Sequence, residues 1–187
     1  MAKNRIVELE TWVTGLREGL SLNEIIEVVK KKCLDAADDS DQYQLASILK
    51  ELLIESGREQ EALRLIDEMI RRIPDDVRFP IAKASLNFYF LRDLEEALTS
   101  IDEALVRARR TGFFRREALG VKARILLKLG LREQLSQALE EIMSLEMKQG
   151  VPDIGRERDF VDRAPPELIS EDLRTRYDAF CPKRSNQ

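Results

Sequence analysis

The sequence predicts an all-α protein in which helical hairpins stack into a solenoid, flanked by an N-terminal helical pair and a C-terminal capping helix. Three observations carry this. A ten-residue segment recurs 35 residues further on, apolar residues keep helical spacing along most of the chain, and only 8 Gly and 6 Pro interrupt 187 residues.

The elements follow in order. Ile6, Leu9, Val13, Leu16 and Leu20 fit one face of a first helix. Ser21-Leu22-Asn23-Glu24 reads as a capping box opening a second, with Leu22, Ile25, Ile26, Val29 and Cys33 on its apolar face. These helices form a pair over residues 1–40. Asp38-Asp39-Ser40-Asp41 then brings negative charge to a helix start. Residues 41–147 hold three hairpins, at about 43–76, 78–111 and 116–147. Tyr43 to Ser56 and Glu59 to Ile73 make the first, parted by Gly57 and ended by Pro74. Val77 to Leu91 and Leu94 to Arg110 make the second. Phe113 to Leu129 and Leu131 to Met147 make the third, parted by Gly130. Gly150 to Pro166 reads as irregular, with a turn of helix near Arg156 to Val161. A last helix from Glu167 to Phe180 precedes a polar tail, closing the 148–187 region.

The repeat is explicit. Glu61, Ala62, Leu63, Ile66, Asp67 and Glu68 are matched by Glu96, Ala97, Leu98, Ile101, Asp102 and Glu103. A looser third copy sets Leu135, Leu139 and Ile142 at corresponding positions, 38 residues beyond the second. The extra three residues fit in the Arg109-Arg110-Thr111-Gly112 turn.

On these residues the chain resembles tetratricopeptide repeat (TPR) proteins. The middle hairpin carries the pattern best, in Ile81, Ala84, Ser85 and Phe88 followed by Ala97, Ile101 and Ala104. The first keeps Gly57, Ala62, Ile66 and Pro74 but has Ala46 for an early large residue and Lys50 for a small one. The third keeps Ala123 and Leu126 but has Leu135 where a small residue is expected. The repeats are therefore degenerate, and small-to-large changes where backbones approach predict wider packing there. The resemblance implies a right-handed stack with a concave groove.

Composition narrows the chemistry. No run approaches the roughly 18–20 apolar residues of a membrane span, and the start, polar within three residues, lacks a signal-peptide core. Cytoplasmic residence is the expectation. Cys33 and Cys181 show no metal-ligand spacing, and there is no histidine, which removes Ser-His and Cys-His nucleophile pairs. Cys33, on an apolar helix face, reads as a small hydrophobe. Asp67, Glu68, Asp102 and Glu103 recur with the repeat, as surface residues do, rather than forming a unique catalytic pair. No phosphate loop or nucleophile elbow is present. The chain is read as non-catalytic, without cofactor or metal.

Two features could bind a partner. The first is aromatic: Phe79, Phe88, Tyr89 and Phe90, with Phe113 and Phe114 opening the next hairpin. The TPR resemblance puts Phe79, Lys83, Leu86, Tyr89, Phe90 and, from the third hairpin, Arg124 in the groove, where they would hold a peptide or helix of a partner protein. Packing against the flanking helices is the competing reading. The second is a basic stripe between Arg107 and Arg132, including Arg109, Arg110, Arg115, Arg116, Lys122 and Lys128. It carries a local charge of +8 in a chain of net −4. It reads as a solvated face neutralised by neighbouring acids, as a site for an acidic protein segment, or as a nucleic-acid contact. Overall acidity and the lack of a recognised motif disfavour nucleic acid. The carboxylate clamp of chaperone-binding TPR domains is argued against by Ser47, Glu51 and Lys83 at its positions.

The function expected is thus protein–protein interaction of adaptor or chaperone-like kind. Regulation of nucleic acid and self-association into a structural homo-oligomer are the alternatives. If the C-terminal tail fills the groove, ending the chain near Gly150 would tighten partner binding.

Overall fold

A computed structural model describes residues 2–145 and 154–181, with side chains from 7 to 145 and 159 to 181. All its regular elements are helical: α1 (Ala2–Leu16), α2 (Leu22–Asp35), α3 (Asp39–Glu55), α4 (Glu59–Arg72), α5 (Arg78–Leu86), α6 (Leu94–Thr111), α7 (Arg115–Leu129), α8 (Arg132–Ser144), α9 (Ile154–Arg163) and α10 (Glu171–Phe180). A π-helical turn, Asn87–Leu91, continues α5. No strand occurs among the described residues. Residues 146–153, in the linker region, and the polar tail 182–187 lie outside them.

Local chemistry sets most boundaries. The Ser21 hydroxyl accepts from the Glu24 N–H while the Glu24 carboxylate accepts from the Ser21 N–H, 2.8 Å away, so the capping box forms on both sides. Asp38 caps α3 by accepting from Ser40 and Asp41. Gly57 and Gly130 take the left-handed conformation, and the following residue closes each turn: Arg58 N–H donates to the Leu53 carbonyl (2.8 Å) and Leu131 N–H to that of Leu126 (3.0 Å).

The second hairpin departs from this scheme. Its left-handed residue is Arg92, and the Asn87 carbonyl accepts from both Arg92 and Asp93. The π-turn therefore holds one residue more than the turns after α3 and α7. Burial records the insertion. Phe79, Pro80, Ile81, Ala84, Leu86 and Asn87 are buried in α5, and Ala118, Leu119, Gly120, Ala123, Ile125 and Leu126 in α7, each 39 positions later. Beyond the turn the interval falls to 38, as Ala97, Ser100, Ile101 and Ala104 give way to Leu135, Ala138, Leu139 and Ile142. Nor do the extra residues of the third repeat sit in a turn at 109–112. They lengthen α6, which stays helical to Thr111, and extend the start of α7.

The apolar interior is in two parts. One joins α1 to α5 through residues such as Val13, Ile26, Leu49, Ile66, Phe79 and Leu86. The other joins α5 to α10 through Ala84, Ile101, Leu126, Leu139, Val161, Leu173 and Tyr177. Helix α5 serves both, so it is the middle leaf of the stack. The C-terminal region is more ordered than its composition implies. Helix α9 covers most of the stretch read as irregular, and Arg174 of α10 donates to the carbonyls of Val161 (2.8 Å) and Ala164 (2.9 Å), satisfying the end of α9.

Candidate protein-interaction surface

The aromatic residues separate into two groups. Neighbouring helices run antiparallel, so the α5–α6 turn lies at the opposite end of the stack from the α4–α5 and α6–α7 connections. About eleven residues of helix part Phe79 from Phe90, roughly 16 Å along the axis. Phe79 is 3% exposed and Leu86 2%, both within the first core, so neither offers surface to a partner. Phe79 instead meets Tyr43 edge-on, with centroids 5.3 Å apart. Tyr89 and Phe90 are 46% and 48% exposed, at the π-turn. Phe88, partly buried, packs edge-on against Tyr89 at 4.7 Å and steadies it from beneath.

The extra residue of the π-turn explains that exposure. In a regular helix, the run of large apolar residues from Phe88 to Leu91 would turn some side chains inward with the phase of Ala84. The wider turn swings Tyr89 and Phe90 out while Leu86 and Asn87 stay in.

Lys83, the groove's expected cation, is held within the chain. Its ammonium lies 3.1 Å from the Asp67 carboxylate on α4 and 2.8 Å from that of Glu96 on α6. Burial works to lower its pKa, but the hydrogen bonds it donates to Glu96 and Asp67 outweigh burial and leave it above the ordinary lysine value. Arg124 stacks its guanidinium 5.4 Å from the centre of the Phe160 ring on α9, so the C-terminal region reaches this position.

Most of the basic stripe is likewise matched by acids. Arg115 pairs with Glu141 at 2.6 Å, Arg109 with the same carboxylate at 3.6 Å, and Lys122 with Asp102 at 2.6 Å. Arg110 pairs with Asp75 and Arg107 with Glu103. Arg116 lies over Phe180 of α10. Lys128 is exposed near the end of α7, at the same end of the stack as Tyr89 and Phe90. The stripe is continuous in sequence but not in space.

At the other end, Arg78 makes a built cluster that sequence inspection passed over. It holds Asp76 through Nε and Nη2, lies 3.4 Å above the Tyr43 ring, and approaches Phe114 at 5.9 Å. Burial pushes the Tyr43 hydroxyl up in pKa.

A second feature also went unread. Between α1, α2 and α3 lies an open cleft of about 520 Å³, lined by Trp12, Val28, Lys31, Lys32, Asp35, Ala36, Asp41 and Leu45. Its residues come from three helices with no shared spacing; only the apolar positions Trp12 and Val28, off the buried faces, could have signalled it. Among the described residues no three Cys, Asp or Glu side chains gather closely enough to hold a metal ion.

No protein-family model matches the sequence, and no curated protein matches it. Solved structures do match in fold. One is a crystal structure of nearly identical TPR-like repeats described as a kinesin light chain of Podosopora anserina, with a TM-score of 0.63 at 12% identity, spanning 95% of this chain and 93% of that one. A single-substitution variant of the same repeats gives 0.61, also at 12% identity, over 94% of each. The chain folds as an all-α solenoid of TPR-like helical repeats.

Proposed function

We propose that the chain is a non-catalytic protein-interaction module whose partner docks on Tyr89 and Phe90. The observation that carries this reading is the pair of adjacent aromatics, each nearly half exposed, displayed by a π-turn that the other two hairpins lack. Large aromatics on a rigid helix end give apolar anchoring at little entropic cost, which is how interaction hot spots are built. The partner best fitted is an amphipathic peptide or helix with apolar anchors and mixed-charge flanks, because Arg92, Lys128 and Arg132 are exposed at the same end beside the exposed Asp93, Glu95 and Glu133. An adaptor or chaperone-like role follows from that surface. The carboxylates facing the stripe between Arg107 and Lys122 leave little free positive field for a nucleic-acid backbone. A cytoplasmic setting belongs to the same proposal and is supported by Cys33 and Cys181, which form no disulfide and are buried in separate cores.

The test compares the tagged chain with Tyr89→Ser/Phe90→Ser as baits in nuclease-treated lysate, after circular dichroism has shown equal helicity. A protein retained by the parent and lost by the variant supports the reading. Equal retention by both overturns it.

A further inference from the structure

The cleft at the N-terminal end is independent of the Tyr89 surface. Its floor is apolar, with Trp12 from α1, Val28 from α2 and Leu45 from α3. Val28, Lys31, Lys32 and Asp35 follow one another at helical spacing along α2, and all four are exposed. Val28 is 38% exposed, an apolar residue left open to solvent by the described residues.

The rim is bipolar. Lys31 and Lys32 form its basic side; Asp35, with the exposed Asp38 and Asp39 just beyond, forms its acidic side. Elsewhere the chain clasps its charges to one another, as Lys83, Arg115 and Lys122 show. Lys31, Lys32 and Asp35 have no ion-pair partner among the described residues, although Lys31 and Asp35 stand at the i,i+4 spacing that favours pairing. Lys32 instead sets its ammonium 4.9 Å over the Trp12 ring.

An apolar floor between a basic and an acidic edge is self-complementary. Under a two-fold axis crossing α2 near Cys33 and Leu34, Lys32 of one copy faces Asp35 of the other, Lys31 faces the Asp38–Asp39 side, and the same contacts repeat in reverse. We infer that this face receives a second copy of the chain, with α2 antiparallel to its counterpart and each Trp12–Val28 floor covered by the partner's α2–α3 turn. Such a contact leaves Tyr89 and Phe90, at the far end of the hairpins, free.

The sequence has a single tryptophan, and it lies in the cleft. Its emission therefore reports occupancy directly. The full chain is followed by light scattering and Trp12 fluorescence over a wide concentration series, alongside Lys31→Glu/Lys32→Glu and Asp35→Lys/Asp39→Lys. The parent is expected to pass from monomer to dimer with a blue shift of Trp12 emission. Each variant alone should associate roughly tenfold or more weakly, since like charges then oppose across the axis, and mixing the two should restore a heterodimer. Exposed substitutions leave the helices intact, and circular dichroism checks it. A chain that stays monomeric throughout overturns the inference. So does a dimer indifferent to both reversals, one that forms without a change in Trp12 emission, or a Trp12 shift seen only when a different protein is added.

Discussion

Lys122 on α7 reaches back 2.6 Å to Asp102 on α6, and this is the contact that Lys83 on α5 makes with Asp67 on α4, one repeat earlier. Asp67 and Asp102 are equivalent by the 35-residue repeat, and Lys83 and Lys122 by the 39-residue interval that burial gives for α5 and α7. Sequence reading had put one lysine in a groove and the other in a basic stripe. Both belong to a single structural device, a clasp between the second helix of one hairpin and the first helix of the next.

The clasp predicts a measurable loss. Lys83→Met should lower stability by about 1 kcal/mol, modest because Asp67 and Glu96 are both about two-fifths exposed and water screens the pair. Because the folded-state pKa of Lys83 lies above the ordinary 10.5, its contribution is fully present below that value and fades as pH rises through the raised one. Urea melts of parent and variant should therefore differ at neutral pH and converge in strongly alkaline buffer. High salt should also narrow the gap.

Arg92 supplies a second prediction. It holds φ of 61° where the equivalent turns use Gly57 and Gly130. A side chain there costs left-handed strain that glycine avoids. Arg92→Gly should raise stability by about 0.5–1 kcal/mol, read as a higher urea midpoint at unchanged slope. A fall would mean that the Arg92 side chain makes a compensating contact.

The π-turn makes a third, sharper prediction. Deleting Tyr89 removes the inserted residue and lets Asp93 close the turn as Arg58 and Leu131 do. The shortened chain should fold with a loss below about 2 kcal/mol. Deleting Leu127 from α7, which has no residue to spare, shifts the turn and α8 against the buried Ala118–Leu126 face and should cost at least twice as much. Chemical denaturation of the two deletions decides the matter.

These turns also show what the sequence could and could not carry. The glycine turns, the Ser21 capping box and the small residues Ala62 and Ala97 are local signals, each complete within a few residues, and they are legible. The π-turn is not, because Asn87-Phe88-Tyr89-Phe90-Leu91 has ordinary helical composition and the extra residue appears only as a change of interval between distant hairpins. A constant 38-residue offset would set Ala123 opposite Ser85, whereas its buried counterpart is Ala84. Phe79 and Leu86 were misjudged as groove residues for a related reason. The side of α5 that they occupy packs on α3 and α4 of the first hairpin, where Phe79 meets Tyr43. Trp12 went unnoticed because its cleft exists only once three helices meet.

Arg78 tests how much a compact charged cluster is worth. The Asp76 side chain is only 8% exposed, so Arg78→Ala strands a nearly buried carboxylate and removes the cation stacked on Tyr43. A loss of about 2–3 kcal/mol is expected by thermal or urea unfolding. Arg78→Lys keeps the charge but neither the two-pronged bond nor the stacking, and should cost about 1 kcal/mol.

The last prediction concerns the C-terminal helices. Were they an inhibitory plug in a groove, ending the chain near Gly150 would free a partner site and leave the fold alone. Their packing argues otherwise. Val161, Ala164, Ile169, Leu173 and Tyr177 are buried in the same apolar interior as Leu139 and Ile142, and Arg176 pairs with Glu140 of α8 at 3.0 Å. Truncation should therefore uncover the apolar face of the third hairpin, lower the unfolding midpoint and raise dye binding to exposed apolar surface. Arg174→Ala isolates the smaller step, since it removes only the donors that finish α9. It should speed amide exchange across 154–163 while α3 to α6 exchange as before. Unchanged exchange in α9 would mean that its carbonyls do not need Arg174, and an unchanged midpoint after truncation would restore the plug.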